Sequence, residues 1–230
     1  AIATNYRGYA NEWNRIWNLK LREHKVDIER AMLFSMRARS NSVQYSEGLI
    51  GHILQNGESA AFGSASYTSG APYFLSGAAS TMIYDDLLGD FEVIFDPARG
   101  GNKSKLALAS RPVLTFFNKM GSTGFVDQSV AADKMFQYDI TSRNGQFGHQ
   151  VMQVNTIHGD LSIVAEPLFR GISSGYMALV DLDQVAYRPL VGNGLNRDTH
   201  IITNVQQADE DLRKDMIITE AGLEITIPET

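Results

Sequence analysis

Residues 13–37 read WNRIWNLKLREHKVDIERAMLFSMR, with no Pro or Gly anywhere in the run. Trp13, Trp17, Leu21, Ile28, Ala31 and Met32 recur at spacings of three, four or seven, the period of one helix face. Arg15, Arg22, Lys25, Asp27 and Glu29 lie off that stripe. Lys25 and Glu29 are four apart, close enough on a helix to pair. The spacing predicts a single helix over 13–37, a rod of roughly 37 Å at about 1.5 Å per residue. Ile16, Leu19, Val26 and Leu33 form a second apolar band. The helix is therefore expected to be covered on two sides, with Arg22 left in solvent.

Around this rod the composition is that of a globular chain. There are 230 residues, 43% hydrophobic and 20% charged, and no cysteine. That excludes a disulfide scaffold, a cysteine nucleophile and any thiolate-bound metal site. It also excludes a disordered or collagen-like chain. No apolar run reaches the roughly 18 residues of a membrane helix. Ala1-Ile2-Ala3-Thr4-Asn5 carries no basic flank or long apolar stretch, so no signal peptide is expected. The net charge of −6 argues against a protein that grips nucleic acid tightly through phosphates. The charge is uneven, however. Residues 1–39 hold eight Lys/Arg against four Asp/Glu, and residues 205–230 hold two against seven. Opposite charges at the two ends suggest interaction surfaces.

Past the rod, 16 of the 25 residues from Gly57 to Thr81 are Gly, Ala or Ser, and Glu58 is the only charge. This reads as a long loop or a weakly ordered strand pair. A helix is expected over Met82–Phe91 with Thr81 as its N-cap, and a short strand over Glu92–Phe95. Leu106–Ala109 reads as a strand. Ser110 is expected to cap a second helix, with Pro112 in its first turn and Gly121 stopping it. From Gln146 the period changes to two, which predicts a β-hairpin turning at His158-Gly159, with Gly159 at positive φ. Tyr176–Val180, Val185–Tyr187 and Thr199–Asn204 read as strands. Met216–Thr219 and Leu223–Ile227 read as a second hairpin around Ala221-Gly222. The class is α+β, helices early and strands late. The Trp17/Leu21/Ile28 stripe is expected against the first hairpin.

One motif matches an enzyme pattern. Gly171-Ile172-Ser173-Ser174-Gly175 fits the G-x-S-x-G nucleophile elbow, with His200 downstream as a base for Ser173. The elbow requires a strand, a sharp turn and a helix, whereas a strand is expected next. Asp181-x-Asp183 lacks the rest of a calcium loop, and Asp209-Glu210-Asp211 reads as a solvated turn. The five histidines show no metal-ligand spacing. No catalytic, cofactor-binding or metal-binding residue is assigned, which points to a structural or assembly role.

The order of elements resembles the tailed-phage major capsid proteins with the Hong Kong 97 fold. Leu21–Leu33 resembles the spine helix, and Gly48-Leu49-Ile50 the exit from it. Tyr138-Asp139-Ile140 and Ile157–Val164 resemble the long late hairpin. Leu179-Val180-Asp181 with Tyr187-Arg188-Pro189-Leu190 resembles the segment after it, and Lys214–Glu224 the closing hairpin. The resemblance implies a capsid fold with a spine helix, a long hairpin and an inserted axial domain. It divides the chain into 1–56 (peripheral domain with the helix), 57–146 (axial domain), 147–190 (peripheral hairpin and strands) and 191–230 (return to the axial domain). It implies a virion protein assembled in the host cytoplasm. Its subunits would associate with each other as pentamers and hexamers around packaged double-stranded DNA, which they would touch weakly and without sequence preference. Scaffolding, portal or cement proteins are the further partners it suggests, with no membrane and no cofactor. The alternatives are a cargo-enclosing nanocompartment shell of the same fold, or a serine hydrolase using Ser173 and His200.

Overall fold

The computed structural model describes residues 12–40, 43–64, 73–77, 82–96, 103–126, 140–144, 150–192 and 194–226. The first half holds α1 (Glu12–Phe34), β1 (Ala38–Ser40), β2 (Val43–Tyr45), α2 (Leu49–Asn56), β3 (Glu58–Ala61), β4 (Tyr73–Ser76), α3 (Tyr84–Ile94), β5 (Ser104–Ala109) and α4 (Arg111–Val126). Strands dominate the second half: β6 (Ile140–Asn144), β7 (Gln150–Asn155), β8 (Asp160–Ala165), β9 (Met177–Val180), β10 (Val185–Pro189), β11 (Val191–Gly192), β12 (Leu195–Asn196), β13 (His200–Ile202), β14 (Met216–Ile218) and β15 (Ala221–Ile225). The α+β class is as expected.

The chain forms two compact units, one from 1–52 and 187–224, the other from 53–186 and 225–230. The boundaries fall inside α2, β10 and β15. This grouping differs from the four-segment division read from the sequence. Residues 147–186 join the unit of 57–146, and residues 191–224 join the unit of the long helix.

The larger unit is a helix-on-sheet sandwich. Its sheet has the order β6-β7-β8-β5-β9, with β5 and β8 parallel and the other neighbours antiparallel. Alternation sends Ala107 and Ala109 of β5, Leu161 and Ile163 of β8, and Val154 of β7 to one face. Leu87, Phe91 and Phe95 of the α3 stripe and Phe117 of α4 join them in one core. Phe91 and Phe95 meet edge to face at 5.7 Å.

This core explains why residues 92–95 do not form the expected strand. Leu87, Phe91 and Phe95 stand four apart, so α3 must continue through Ile94 to bury all three. The helix begins at Tyr84, with Ile83 at its N-cap. The Asp86 carboxylate, rather than a Thr81 hydroxyl, reaches back to accept the Ile83 N–H at 3.4 Å. Thr81 itself lies outside the described residues. Ser110 precedes α4 as expected, but its hydroxyl donates to Ser174 O at 2.5 Å instead of accepting from the helix. Gly121 does not end α4, which continues to Val126. One interior Gly costs only about 1 kcal/mol relative to Ala, too little to stop a helix by itself.

The predicted first hairpin is present as β7 and β8, paired from Met152↔Ile163 to Asn155↔Asp160. Gly159 is needed there for a reason other than positive φ, a conformation found instead at Gly63, Gly171 and Gly194. A Cβ on Gly159 would lie 2.5 Å from Lys103 O and 2.6 Å from the Phe95 ring. The turn is closed by Thr156, whose N–H donates to Gly159 O at 3.0 Å. The expected second hairpin is absent. β14 pairs with β13, and β15 with β10. Part of the Gly/Ala/Ser-rich segment forms a parallel strand pair, Glu58↔Tyr73 to Ala61↔Ser76.

Candidate assembly surface

The smaller unit is built on α1, whose 23 residues are three shorter at the C-terminal end than the sequence reading and begin one residue earlier. Gly48 lets the chain turn tightly against the helix end, because a Cβ there would meet Ala31 O and Ser35 N at 2.8 Å. The Gly48 N–H then donates to Ser35 O at 2.8 Å, and Leu49 and Ile50 bury beside it.

The inner stripe of α1 is as read in its main members. Trp13, Trp17, Leu21, Ile28 and Met32 are half-buried, while Ala31 is exposed. Two of its members, Trp13 and Trp17, face residues 215–217 of the same unit. Asp215, Met216 and Ile217 form one wall of a groove of about 470 Å³, and Trp13, Ile16, Trp17, Lys20, Glu23, His24 and Asp27 form the other. His24 Nε2 lies 2.8 Å from Thr219 Oγ1, which in turn lies 2.8 Å from Thr199 Oγ1. The same loop holds Asp198, which accepts the Tyr187 hydroxyl at 2.8 Å and the Thr199 N–H at 2.7 Å. These two bonds hold the Asp198 carboxyl below the ordinary carboxylate range. Desolvation, followed by the bond to Asp198, raises the Tyr187 phenol.

Asp215 is the anchor at the floor of the groove. Its side chain is 1% exposed. It accepts the Asn204 N–H at 3.0 Å, which is the main cause of its lowered pKa, and the Arg213 guanidinium at 3.0–3.1 Å. The Trp17 indole N–H donates to it as well. Arg213 also lies over the Trp13 ring, 5.0 Å from its centroid. At the rim, Lys20 and Glu23 pair at 2.7 Å, which raises the lysine and lowers the glutamate.

The second apolar band of the helix contradicts expectation. Leu33 is buried, but Ile16 is 41% exposed, Leu19 50% and Val26 42%. Across the groove, Met216 (40%) and Ile201 (55%) are also open to solvent. Among the described residues, Leu19 and Val26 on this band stay open to solvent.

The local structure around Ser173 is not that of a nucleophile elbow. Ser173 lies in a single 3₁₀ turn, Gly171–Ser173, that leads into strand β9 and not into a helix. Its hydroxyl donates to Arg170 O at 3.1 Å, a local turn bond. His200 Nδ1 donates to Asp198 O at 2.9 Å within the loop before β13. Ser173 and His200 belong to different compact units. Asp181 ends β9 in an Asx turn, accepting the Asp183 N–H at 3.0 Å. It is 3% exposed and follows Val180, the β9 partner of Leu106. Arg22 is exposed, as expected.

What sequence reading missed is the groove. Its walls come from residues almost 200 positions apart, and the only local signals are Trp13 and Trp17 beside a charged run and the acidic bias after residue 205. Among the described residues, no helix is long and apolar enough to cross a membrane. No curated protein gives a significant sequence match. An apolar, charge-rimmed surface agrees with the whole-chain comparison. The family model described as SU10 major capsid protein matches residues 1–230, and the chain belongs to that family of tailed-phage major capsid proteins.

Proposed function

We propose that this major capsid protein closes into an icosahedral shell of Hong Kong 97 architecture, built from pentamers and hexamers around double-stranded DNA. The unit carrying α1 serves as the peripheral domain, and the unit with the five-stranded sheet as the axial domain. Relative to the sequence reading, this moves the β7–β8 hairpin into the axial domain. The supporting observation is the uncovered outer band of α1. Leu19 and Val26, seven residues apart on a helix otherwise rich in charge, are 50% and 42% exposed. Large apolar side chains left open on an assembling subunit suit an interface. The net charge of −6 makes the contact with DNA weak and insensitive to sequence, with exposed Arg22 and Arg30 available to phosphates. Assembly in the host cytoplasm and contacts with scaffolding, portal or cement proteins belong to the same reading.

Electron microscopy of the purified full chain is the direct test, and closed shells are the expected result. The double variant Leu19→Ser, Val26→Ser should change subunit stability by no more than about 0.5 kcal/mol, because both positions are solvent-facing. It should nonetheless abolish shells. Normal shells from that variant would remove α1 from the interface.

A further inference from the structure

We propose that the groove between α1 and residues 215–217 is the socket for the β1–β2 ribbon of a second copy, in a head-to-tail contact. This deepens the shell reading and rests on it.

The socket's lining includes apolar Trp17, Met216 and Ile217, and carries Glu23, Asp27 and Asp215 against Lys20 alone. Glu23 is paired with Lys20 and Asp215 with Arg213. Asp27 makes no ion pair among the described residues. The socket therefore suits a segment that is both apolar and basic.

The same unit presents such a segment. Met36 is 49% exposed and Tyr45 55%, and Arg37 and Arg39 are both exposed. All three residues of β1 are open to solvent. Among the described residues the ribbon is paired only to itself, Ala38↔Tyr45 to Ser40↔Val43. An isolated two-stranded ribbon of this length is marginal in water and gains from a surface to lie on.

The plug of one chain does not fill its own socket. Lys20, near the middle of the groove, stands 14 residues before the end of α1, about 21 Å along the axis. Plug and socket therefore occupy different parts of one rigid helix and its flanks. Two different patches that fit each other make a heterologous contact, which repeats from subunit to subunit and closes into rings when the rotation allows. In this contact Arg37 and Arg39 of one copy come to Asp27 of the next, the lining acid without an ion pair among the described residues.

The chain has no cysteine, so introduced thiols report without background. Asp27→Cys and Arg39→Cys variants of the full chain are made separately, mixed, and oxidised. Because both positions are exposed, circular dichroism should be unchanged in each. The mixture should give a covalent dimer, and the double variant a ladder of multimers. Electron microscopy of the same samples separates the two readings. Shells that carry no disulfide between positions 27 and 39 overturn the plug-and-socket contact and leave the shell reading intact. A protein that forms neither shells nor cross-links overturns both. Charge exchange gives a second readout. Asp27→Arg and Arg39→Asp should each abolish assembly, and their combination should restore it. Failure of the combination to restore assembly, with both single variants folded, overturns the pairing.

Discussion

The two compact units contrast in how they are held together. Of the sixteen buried apolar side chains among the described residues, thirteen lie in the sheet unit and three, Leu33, Leu49 and Ile50, in the helix unit. The sheet unit has a five-stranded sheet covered by two helices. The helix unit has a 23-residue rod with one buried side chain and several two-stranded ribbons. A large continuous core is enough for a domain to fold alone. A rod with ribbons depends more on hydrogen bonds, ion pairs and what its neighbours cover. In a protein made to assemble, the division separates two tasks: one unit carries its own stability, and the other keeps apolar surface free for the next copy.

The strongest test of the contrast is to remove a ring from each unit. Phe91 is 1% exposed and sits in the centre of the larger core. Phe91→Ala should cost about 3–5 kcal/mol, read as a loss in urea midpoint at unchanged slope. A loss under half that range would mean that the core is looser than its burial indicates.

Next in size is Gly159→Val. The added side chain would collide with Lys103 O and the Phe95 ring, so strain enters from packing and not from backbone torsion. A loss of about 2–3 kcal/mol is expected, and relief by Phe95→Leu in the same chain would locate the strain. No relief would place the cost in the fixed Lys103 carbonyl.

Trp17→Ala should cost less, about 2 kcal/mol, because the ring is only half-buried. The variant also removes the indole donor of Asp215. The loss should appear as faster hydrogen exchange in residues 199–219, with the sheet unit unchanged. Equal acceleration in both units would merge them into one cooperative block.

The smallest effect is with pH. Asp198 and Asp215 both have folded-state pKa values below the ordinary range. A depressed carboxyl contributes stability above its unfolded pKa, near 3.9, and loses it as pH falls through the folded value. The helix unit should therefore weaken from about pH 5 downward, and Asp215→Asn should flatten that part of the profile. A stability curve for Asp215→Asn parallel to the parent's from pH 5 to 2 would refute the assignment.

Features that depend on local periodicity are legible in the sequence. α1, β5, the β7–β8 hairpin, β9 and Pro112 in the first turn of α4 all follow from spacing within a dozen residues. The differences arise where distant partners decide. Residues 92–95 have strand-like composition, yet the core claims Phe95 for a helix face. Residues 216–219 and 223–227 look like one hairpin, but β13 and β10 take them separately. The need for Gly159 is legible in its turn, but its cause is not, because Lys103 lies more than fifty positions before it. The exposed band of α1 is legible as apolar. Its lack of a cover is not, since a single sequence does not say how many copies share a surface.

The walls of the groove also set a schedule. α1 leaves the ribosome well ahead of Asp215, Met216 and Ile217, which come nearly 190 residues after Asp27. The Asn204 amide and Arg213 that fix Asp215 are late as well. A nascent chain can expose its rod and its β1–β2 ribbon, but it offers no socket until synthesis has passed residue 217. On the plug-and-socket contact, a chain cut short before that point would still offer a ribbon but accept none, and so would end a head-to-tail series instead of extending it.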